Sequence, residues 1–243
     1  MKLKGRIKVN AVLTVETGLH IGGMKETYSI GDLDNPVIKI KWKRNNEMKD
    51  LPYIPGSSLK GKIRSLVEEK EKNGKFCTCA TDSCTICKLF GPGPTGEAKG
   101  GKPRLKVRDG FLCKDQEAML ESVDFVEIKM ENTIDRARGT AKNPRQTERV
   151  LPGTKFDVEF VISLYEGDQP KEFLELLFGG LYMLEDDYLG GSGSRGYGKI
   201  SFSSINIYYT AAEDYKAEKA AKKVGEGKTL KEVNISEICS QIK

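Results

Sequence analysis

A glycine-rich segment, YLGGSGSRGYGKI at residues 188–200, places the tightest limit on what this chain can fold into. It contains G-x-G-x-x-G at 191–196, the glycine spacing of a dinucleotide-binding fingerprint. That fingerprint needs a strand before the glycines and a helix after them, because the pyrophosphate binds at the helix N-terminus. Here the pattern predicts a helix over 171–189 and then a strand over 199–209. The reversed order argues against a nucleotide cofactor. It favours a loop that needs positive-φ glycines or that brings bare backbone N–H groups to a phosphodiester.

The charge balance of the chain is mildly basic. Forty Lys and Arg residues against 35 Asp and Glu residues give a net charge of +5 over 243 residues. Because the two signs are interspersed, this balance permits a polyanionic partner without requiring one. The first residues, MKLKGRIKVN, lack a secretory signal pattern, and no apolar run approaches membrane-spanning length. We therefore expect a cytoplasmic protein with no membrane partner.

Strand and helix patterns are mixed along the chain. Apolar and polar residues alternate over 6–17, and the segment 155–165 is the clearest strand. Between them, apolar residues at helical spacing follow Ser57 and Ser58, either of which suits an N-cap. This mixture, with antiparallel excursions and no fixed repeat, predicts one α+β domain.

Four of the six cysteines fall within eleven residues as C-x-C-x₄-C-x₂-C, namely Cys77, Cys79, Cys84 and Cys87. Two close pairs of soft ligands suit tetrahedral Zn²⁺, with two disulfides or an iron–sulfur cluster as the alternatives. The tight spacing leaves little room for an open coordination position, so we expect a structural zinc site. Cys113 and Cys239 have no neighbours in sequence and are expected to be buried apolar residues.

Longer motifs connect the chain to a known family. TGLHIGG, IGDLDNPVIK, YIPGSSLKGKIRSL, ENTIDR, NPRQTERV and DYLGGSGSRGYGKI occur in this order over residues 6–208. They resemble the repeated backbone subunit of type III-A CRISPR effector complexes, the Csm-type member of the RAMP superfamily. The III-B backbone subunit is a close sibling, and the pairing of GLHIGG with GDLDNP favours III-A.

The resemblance implies a modified RRM-like (ferredoxin-like) core with a projecting thumb hairpin. It predicts a single RAMP domain over 1–210 with two insertions, a zinc-binding, lid-like one at 70–104 and the thumb at 123–152. The Lys/Glu/Ala-rich tail, 211–243, is expected to be an exposed helix. By resemblance, copies of the chain stack along a guide RNA (crRNA) into a helical filament with other Csm subunits. Each copy cuts complementary target RNA at regular intervals as a metal-dependent endoribonuclease.

The catalytic residue that the resemblance implies is Asp34 in GDLDNP, with Asp32 as a second choice. A carboxylate there could hold Mg²⁺ or another divalent cation that acidifies the attacking 2′-hydroxyl, or could take the proton itself. His20, the only histidine, is the rival, because relatives that process guide RNA without a metal often use a histidine base. A third possibility is a non-catalytic RNA-binding backbone. A chelator would separate the first two mechanisms.

Several segments are candidates for RNA contact. Lys60 and Arg64 lie four apart on one predicted helix face, which is either a phosphate cradle or an ordinary solvated face. In the thumb, a guide of any sequence must fit, so phosphate contacts should outnumber base-edge contacts. In the glycine-rich loop, Arg195 could assist the backbone N–H groups in binding a phosphate of the RNA. The full predicted RNA-binding set is His20, Ser57, Lys60, Lys62, Arg64, Asn132, Arg136, Arg145, Gly191, Gly193, Arg195 and Lys199.

Overall fold

The long first strand, β1, lies in the middle of the sheet because its apolar residues recur at every second position. Ile7, Val9, Leu13 and the other odd-numbered residues from 5 to 15 are buried. The structure is a computed structural model, and it describes residues 1–23, 35–44, 47–77, 79, 81, 83–92, 102–119 and 124–242.

The strands and helices follow one another in a mixed order. The strands are β1 Leu3–Val15, β2 Lys39–Arg44, β3 Glu47–Pro52, β4 Leu105–Val107, β5 Phe111–Leu112, β6 Val126–Asp135, β7 Thr140–Val150, β8 Lys155–Tyr165, β9 Ile200–Ala211 and β10 Lys222–Thr229. The helices are α1 Gly56–Glu71, α2 Thr85–Phe90, α3 Lys114–Glu117, α4 Pro170–Asp186 and α5 Ile235–Gln241.

The main sheet has the strand order β10-β9-β1-β8-β4 and is antiparallel, with β5 also paired to β8. Ile7 of β1 faces Ile162 on β8 and Tyr209 on β9. In chain order, β1, α1, β4, β8, α4 and β9 form the β-α-β-β-α-β unit of a ferredoxin-like fold. The predicted α+β, RRM-like core is therefore confirmed.

Two helices, α1 and α4, pack on each other and contribute to the core against the sheet. Leu59, Ile63 and Leu66 of α1 are buried at helical spacing, as the sequence predicts. The N-cap differs from the prediction, because Pro55 occupies it and makes no side-chain cap. Asp109 accepts a hydrogen bond from the Gly56 N–H instead, at 2.8 Å, so a distant carboxylate stabilises the helix start.

Two antiparallel hairpins extend from this core. β2 pairs with β3 between β1 and α1, and β6 pairs with β7 ahead of β8. The second hairpin is the predicted thumb, and the cysteine segment containing α2 lies between α1 and β4. The two hairpins and the cysteine segment therefore interrupt the ferredoxin-like order of elements without changing the strand order of its sheet.

The prediction of an exposed helical tail over 211–243 is wrong. Residues 222–229 form β10, which adds an edge strand beside β9, and among the described residues of this segment only Ile235–Gln241 is α-helical, after a 3₁₀ turn at Leu230–Glu232. Val224, Leu230 and Ile238 of this segment are buried, so it contributes apolar surface to the core. Two glycines within KKVGEGKT disfavour a helix, and pairing with an open sheet edge then decides the structure. Within the described residues, no helix is long and apolar enough to cross a membrane.

Candidate functional site

Four separate chain segments meet at the base of the thumb around Glu148. The Nδ1 atom of His20 lies 2.7 Å from the Glu148 carbonyl oxygen, and the Glu148 N–H donates to the Asn35 carbonyl at 2.9 Å. The Gly191 N–H in turn donates to the His20 carbonyl at 2.8 Å. We call His20, Asn35, Glu148 and Gly191 the thumb junction. It joins the segment after β1, the segment before β2, the thumb and the glycine-rich loop.

The Glu148 side chain also stabilises the thumb junction. It is buried, and its two carboxylate oxygens accept from the Val37 N–H at 2.9 Å and from Lys39 Nζ at 2.6 Å. A buried carboxylate is stable only when it is paired and hydrogen-bonded, and both conditions hold here. The chain that follows Asn35 is therefore held against β7 by main-chain and side-chain bonds together.

Asp34 and Asp32 lie outside the described residues, so their assignment stays a prediction. Asn35, the residue after Asp34, belongs to the thumb junction. The two chain ends that flank 24–34 are joined, because the Gly23 N–H donates to the Pro36 carbonyl at 3.0 Å. The residues on either side of 24–34 therefore lie next to each other, with Asn35 against the thumb.

His20 has a defined tautomer in this arrangement. The Glu148 carbonyl can only accept a hydrogen bond, so Nδ1 carries the hydrogen and donates it. In the neutral ring, Nε2 then keeps its lone pair and can accept a proton. The histidine is partly exposed, so its ring is oriented by the thumb without being enclosed.

The glycine-rich loop needs glycine where it touches its neighbours. Gly190 has φ +79°, and a Cβ there would lie 2.3 Å from the His20 carbonyl oxygen. Gly198 has φ +77°, and a Cβ there would lie 2.1 Å from the Leu189 carbonyl oxygen. Both positions therefore require glycine, Gly190 for the close approach to His20 of the thumb junction and Gly198 for the close approach of the loop to its own residue Leu189.

The predicted RNA contacts of this loop are divided between the interior and the surface. The Gly191 N–H is used inside the fold, and a Cβ at Gly193 would collide with the Tyr188 ring. Arg195 and Lys199 are exposed, and neither side chain bonds to another residue that the structure describes. The two cations are therefore the part of the loop that is open to an anionic ligand.

The thumb is fastened to the same loop through Tyr197. The Tyr197 hydroxyl, almost fully buried, donates to Glu131 at 2.8 Å, and Arg145 bonds the other Glu131 oxygen at 2.9 and 3.2 Å. These donors, that of Tyr197 first, lower the pKa of Glu131. Burial, followed by the hydrogen bond to Glu131, raises the pKa of Tyr197 to about 12. Lys129 and Arg149 lie 4.5 and 5.2 Å from the centre of the Tyr197 ring.

Of the predicted thumb contacts, two lie at the far end of the hairpin. Asn132 and Arg136 are exposed there, whereas the Arg145 guanidinium already has Glu131 as its partner. Asp135 holds the turn by accepting from the N–H groups of Ala137 and Arg138. The hairpin end is therefore ordered by the Asp135 side chain, and the basic side chains of the turn are exposed.

The start of α1 forms one side of a groove of about 550 Å³. Ser57 and Lys60 line it from the helix, and Lys102 and Lys106 line it from the neighbouring strand region. Lys60 Nζ donates to the Leu105 carbonyl at 3.0 Å, and burial, with a smaller contribution from the Arg64 charge, lowers the pKa of Lys60. The groove is thus basic and partly desolvated, which suits an anion such as phosphate.

Two other predicted contacts on α1 have partners within the fold. Lys62 Nζ lies 2.6 Å from Asp187 and 4.0 Å from the centre of the Tyr188 ring. Arg64 turns toward the cysteine segment, where it bonds Glu68 and three main-chain carbonyls. The four-residue spacing correctly predicts that Lys60 and Arg64 share a helix face. At Arg64, however, this face packs against the cysteine segment and is not open to solvent.

The four clustered cysteines converge. Their Sγ atoms all lie within 4.8 Å of one another, and Cys77 is central, at 3.3, 3.4 and 3.3 Å from the sulfurs of Cys79, Cys84 and Cys87. Sulfurs in a Zn–S₄ tetrahedron with bonds of about 2.3 Å stand about 3.8 Å apart, so this set fits a metal ion. The cysteines are free and their contacts exceed the disulfide bond length of about 2.05 Å.

The thiols differ in environment. The Thr81 N–H, the largest of several causes, lowers the pKa of the exposed Cys79 to about 6, whereas burial raises that of Cys77. Cys113 is buried as predicted, and burial, with the nearby Asp157 charge, raises its pKa to about 12. Cys239 is only partly buried.

Comparison with known proteins agrees with this architecture. The family model of the RAMP superfamily matches residues 12–201, well over half of the chain. The chain is 42% identical over 232 residues to a protein of Methanocaldococcus jannaschii named CRISPR system Cms endoribonuclease Csm3, covering 92% of this chain and 89% of that protein. The chain belongs to the Csm3 family of RAMP proteins.

Other Csm3 relatives are similar over most of their length. The Methanothermobacter thermautotrophicus Csm3 is 39% identical, with 94% of this chain and 98% of that protein covered. The Streptococcus thermophilus Csm3 is 41% identical, with 82% and 88% covered. A solved Csm3–Csm4 subcomplex from a type III-A CRISPR-Cas interference complex aligns over 100% of this chain and 99% of the matched chain, with a TM-score of 0.63 and 31% identity.

Sequence reasoning missed an apolar stripe on the Csm3-family thumb. Ile128, Met130 and Ile134 of β6 are 55%, 59% and 66% exposed, and all predicted contacts in the thumb were polar. The signal was available, since the segment VEIKMENTI alternates apolar and charged residues in a hairpin whose one face is open. Exposed apolar side chains in such a row are suited to contact with base faces.

Proposed function

We propose that this chain is a guide-RNA-binding backbone subunit of a type III-A CRISPR interference complex. In that complex, copies of the chain stack with other Csm subunits along the crRNA in the cytoplasm. The assembled subunit cleaves complementary target RNA at regular intervals as a metal-dependent endoribonuclease. Support comes from the Csm3 relatives, which are named endoribonucleases, and from the solved Csm3–Csm4 subcomplex.

The thumb junction is the observation that carries this proposal. Asn35, which adjoins Asp34, and His20 are both hydrogen-bonded to the main chain of Glu148. Asn35, His20 and the thumb are thus joined at one residue, Glu148. A target strand that passes along the thumb would therefore meet these groups at a fixed point, as cleavage at a fixed step requires.

In the proposed cleavage, the 2′-oxygen bonds to the adjacent phosphorus and the bond to the 5′-oxygen breaks. One fragment then ends in a 2′,3′-cyclic phosphate, and the 5′-oxygen of the other takes up a proton from water to become a hydroxyl. A bound divalent cation would lower the pKa of the 2′-hydroxyl and offset charge on the phosphate oxygens. Asp34 binds that cation or accepts the 2′-proton. The thumb holds the strand so that the attacking and leaving oxygens stay in line.

Guide binding would rest on contacts with phosphate. Among the predicted residues, Arg195, Lys199 and Arg136 have exposed side chains, and Ser57 and Lys60 line the basic groove. Asn132 is exposed at the end of the hairpin and would also be open to RNA. The remaining members of the predicted set, His20, Lys62, Arg64, Arg145, Gly191 and Gly193, would act through the shape of these surfaces. Affinity for guide RNA should then fall with rising salt and vary little with base sequence.

The cysteine cluster is proposed to hold a structural Zn²⁺. Its four thiols supply a complete tetrahedral set, so no position is left for a catalytic water. The ion would fold the segment that follows α1 and would take no part in RNA cleavage. An iron–sulfur cluster is the competing ligand, and metal analysis of the purified chain separates the two.

A second candidate function is metal-free RNA cleavage with His20 as the base. The hydrogen bond from Nδ1 to the Glu148 carbonyl favours this candidate, because it leaves the Nε2 lone pair available. A third, a backbone subunit without catalysis, needs none of these groups.

The test uses the assembled complex with a complementary target RNA, in Mg²⁺ or in excess chelator. The proposal expects cleavage by the unmodified complex in Mg²⁺, loss in chelator, and loss in Asp34→Ala with target binding retained. Persistent cleavage in chelator together with loss in His20→Ala would support the metal-free base. An intact target in all arms would support the silent backbone, and unchanged cleavage in Asp34→Ala would remove Asp34 from the mechanism.

A further inference from the structure

Glu68 links helix α1 to the first metal-binding cysteine. It is 5% exposed, and its Oε1 atom accepts a hydrogen bond from the Cys77 N–H at 3.2 Å. The same oxygen accepts from Arg64 Nε at 2.8 Å, one helical turn earlier. A buried carboxylate with an arginine partner and a main-chain donor is a fixed group, since either loss leaves a buried charge unpaired.

The Arg64 guanidinium continues this link to both ends of the cysteine segment. Its Nη2 lies 3.4 Å from the Cys77 carbonyl, at the entry to the segment. Its Nη1 lies 3.1 Å from the Gly91 carbonyl and 3.3 Å from the Pro92 carbonyl, at the exit. One planar group therefore bridges the two chain ends that enclose the four thiols, a geometry that a lysine ammonium cannot reproduce.

These contacts distinguish Arg64 from a residue on a solvent-exposed helix face. Only 18% of the Arg64 side chain is exposed, and its partners are main-chain oxygens of the cysteine segment. The main chain of Cys77 is held on both sides, by Glu68 at its N–H and by Arg64 at its carbonyl. Cys77 is also the thiol closest to the other three sulfurs. Fixing its backbone therefore fixes one corner of the ligand set, the sulfur that lies closest to the other three.

We propose that Arg64 and Glu68 are positioning residues of the metal centre, which lock the entry and exit of the cysteine segment onto α1. The inference rests on the proposed metal binding at the four cysteines. Groups of this kind orient ligands without touching the ion, and their loss typically lowers metal affinity about 10–100-fold. Arg64 would then stabilise the metal centre, whereas the sequence predicts that it contacts RNA.

The test measures Co²⁺ binding to the purified full-length chain, because four thiolates around Co²⁺ give a characteristic absorption spectrum. Arg64→Lys and Glu68→Gln are compared with Lys70→Gln and Glu71→Gln, a surface pair at the end of the same helix. We expect the first two variants to lose about 10–100-fold in affinity, measured by competition with a chelator. The two surface variants should match the unmodified chain.

A second measurement guards against a trivial loss of folding. Far-UV circular dichroism and the melting temperature of the metal-free variants establish whether the sheet and α1 remain intact. Hydrogen exchange then reports the amides of 77 and 91, which should exchange faster in Arg64→Lys even where the global fold is unchanged.

The outcomes separate the two levels of the proposal. Tetrahedral Co²⁺ binding by the unmodified chain with undiminished affinity in both variants would overturn the positioning role and leave the metal centre standing. Failure of the unmodified chain to bind Co²⁺ or Zn²⁺ would overturn both. Unchanged metal affinity with weakened guide-RNA binding in Arg64→Lys would return Arg64 to the RNA-binding set.

Discussion

At the scale of single residues, the ion pair of Arg104 and Asp168 illustrates how this fold treats charge. Both side chains are 3% exposed, the lowest values of any ion pair among the described residues, and the guanidinium bonds both carboxylate oxygens at 3.0 and 3.3 Å. Arg104 also donates to the Lys102 carbonyl and lies 4.9 Å from the centre of the Tyr165 ring. Both buried charges of this pair therefore have hydrogen-bond partners.

This pair predicts an unequal response to two arginine substitutions. Arg104→Met leaves Asp168 buried without its partner and should lower the free energy of unfolding by about 3–5 kcal/mol. Arg108→Met, in an exposed pair with Glu159, should cost no more than about 1 kcal/mol. Denaturant unfolding of both variants measures the difference. Equal losses of unfolding free energy would show that the buried pair stabilises the fold no more than the exposed pair.

The hydrogen bond between Tyr197 and Glu131 predicts that the thumb loosens in acid. The pKa of Glu131 is lowered in the folded chain, chiefly by the Tyr197 hydroxyl and then by Arg145. Its stabilisation is therefore complete above the unfolded value of about 4.3 and is lost as the pH falls through the lower folded pKa. Protection factors of the β6 and β7 amides, corrected for intrinsic exchange, should fall over this range.

Glu131→Gln supplies the control for the acid response. A glutamine cannot titrate, so this variant should show weaker thumb protection at neutral pH and a smaller further loss in acid, which then comes from other thumb carboxylates such as Asp135, whose pKa is also lowered. Thumb protection that is equal at pH 7 and pH 3 in the unmodified chain would contradict the assigned role of Glu131.

At the scale of elements, the contact between α1 and α4 depends on one of two adjacent glycines. A Cβ on Gly180 would lie 2.6 Å from Ile63 and 3.0 Å from Val67 of α1, whereas a Cβ on Gly179 would meet nothing within 4 Å. Gly180→Ala should therefore destabilise the chain by about 1–3 kcal/mol through overpacking. Gly179→Ala should stabilise it by about 0.5–1 kcal/mol, because alanine is the better helix former. Melting temperatures that move in the same direction would refute this account of the packing.

The sequence predicts the elements well where burial is periodic. The alternation in β1 and the helical spacing in α1 each arise from one face in contact with the core, and both are confirmed. The tail is the exception, because its Lys/Glu/Ala composition favours a helix while a free sheet edge beside β9 accepts a strand. The two glycines of KKVGEGKT argue against a continuous helix, but local composition carries no information about which sheet edge is open, so the segment alone could not predict the strand.

The same limit governs the candidate site. Cysteine spacing predicts the metal cluster, since all four ligands lie close together in the chain. By contrast, Arg64 and Arg145 are predicted as RNA contacts from their charge, and each has an internal carboxylate partner. The partner of Arg64 is one helical turn away, but its burial depends on the cysteine segment. Helical periodicity identifies which residues share a helix face, but it does not identify the part of the molecule that packs against that face.

At the scale of the whole molecule, the ferredoxin-like core serves as a frame for contacts between distant segments. His20 bonds Glu148, 128 residues away, and Tyr197 bonds Glu131, 66 residues away. The thumb is therefore fixed at two points, at the thumb junction and on the glycine-rich loop. The glycine-rich loop, whose spacing imitates a cofactor-binding motif, instead positions the hairpin beside which target RNA is proposed to be cut.

The central claim is tested most directly by mapping the ends of target RNA after incubation with the assembled complex and Mg²⁺. The account predicts cuts at a constant interval, with one further cut for each further interval of complementarity, and none in Asp34→Ala or in chelator. Target RNA that is bound but remains intact, or a ladder that persists in Asp34→Ala, would contradict it.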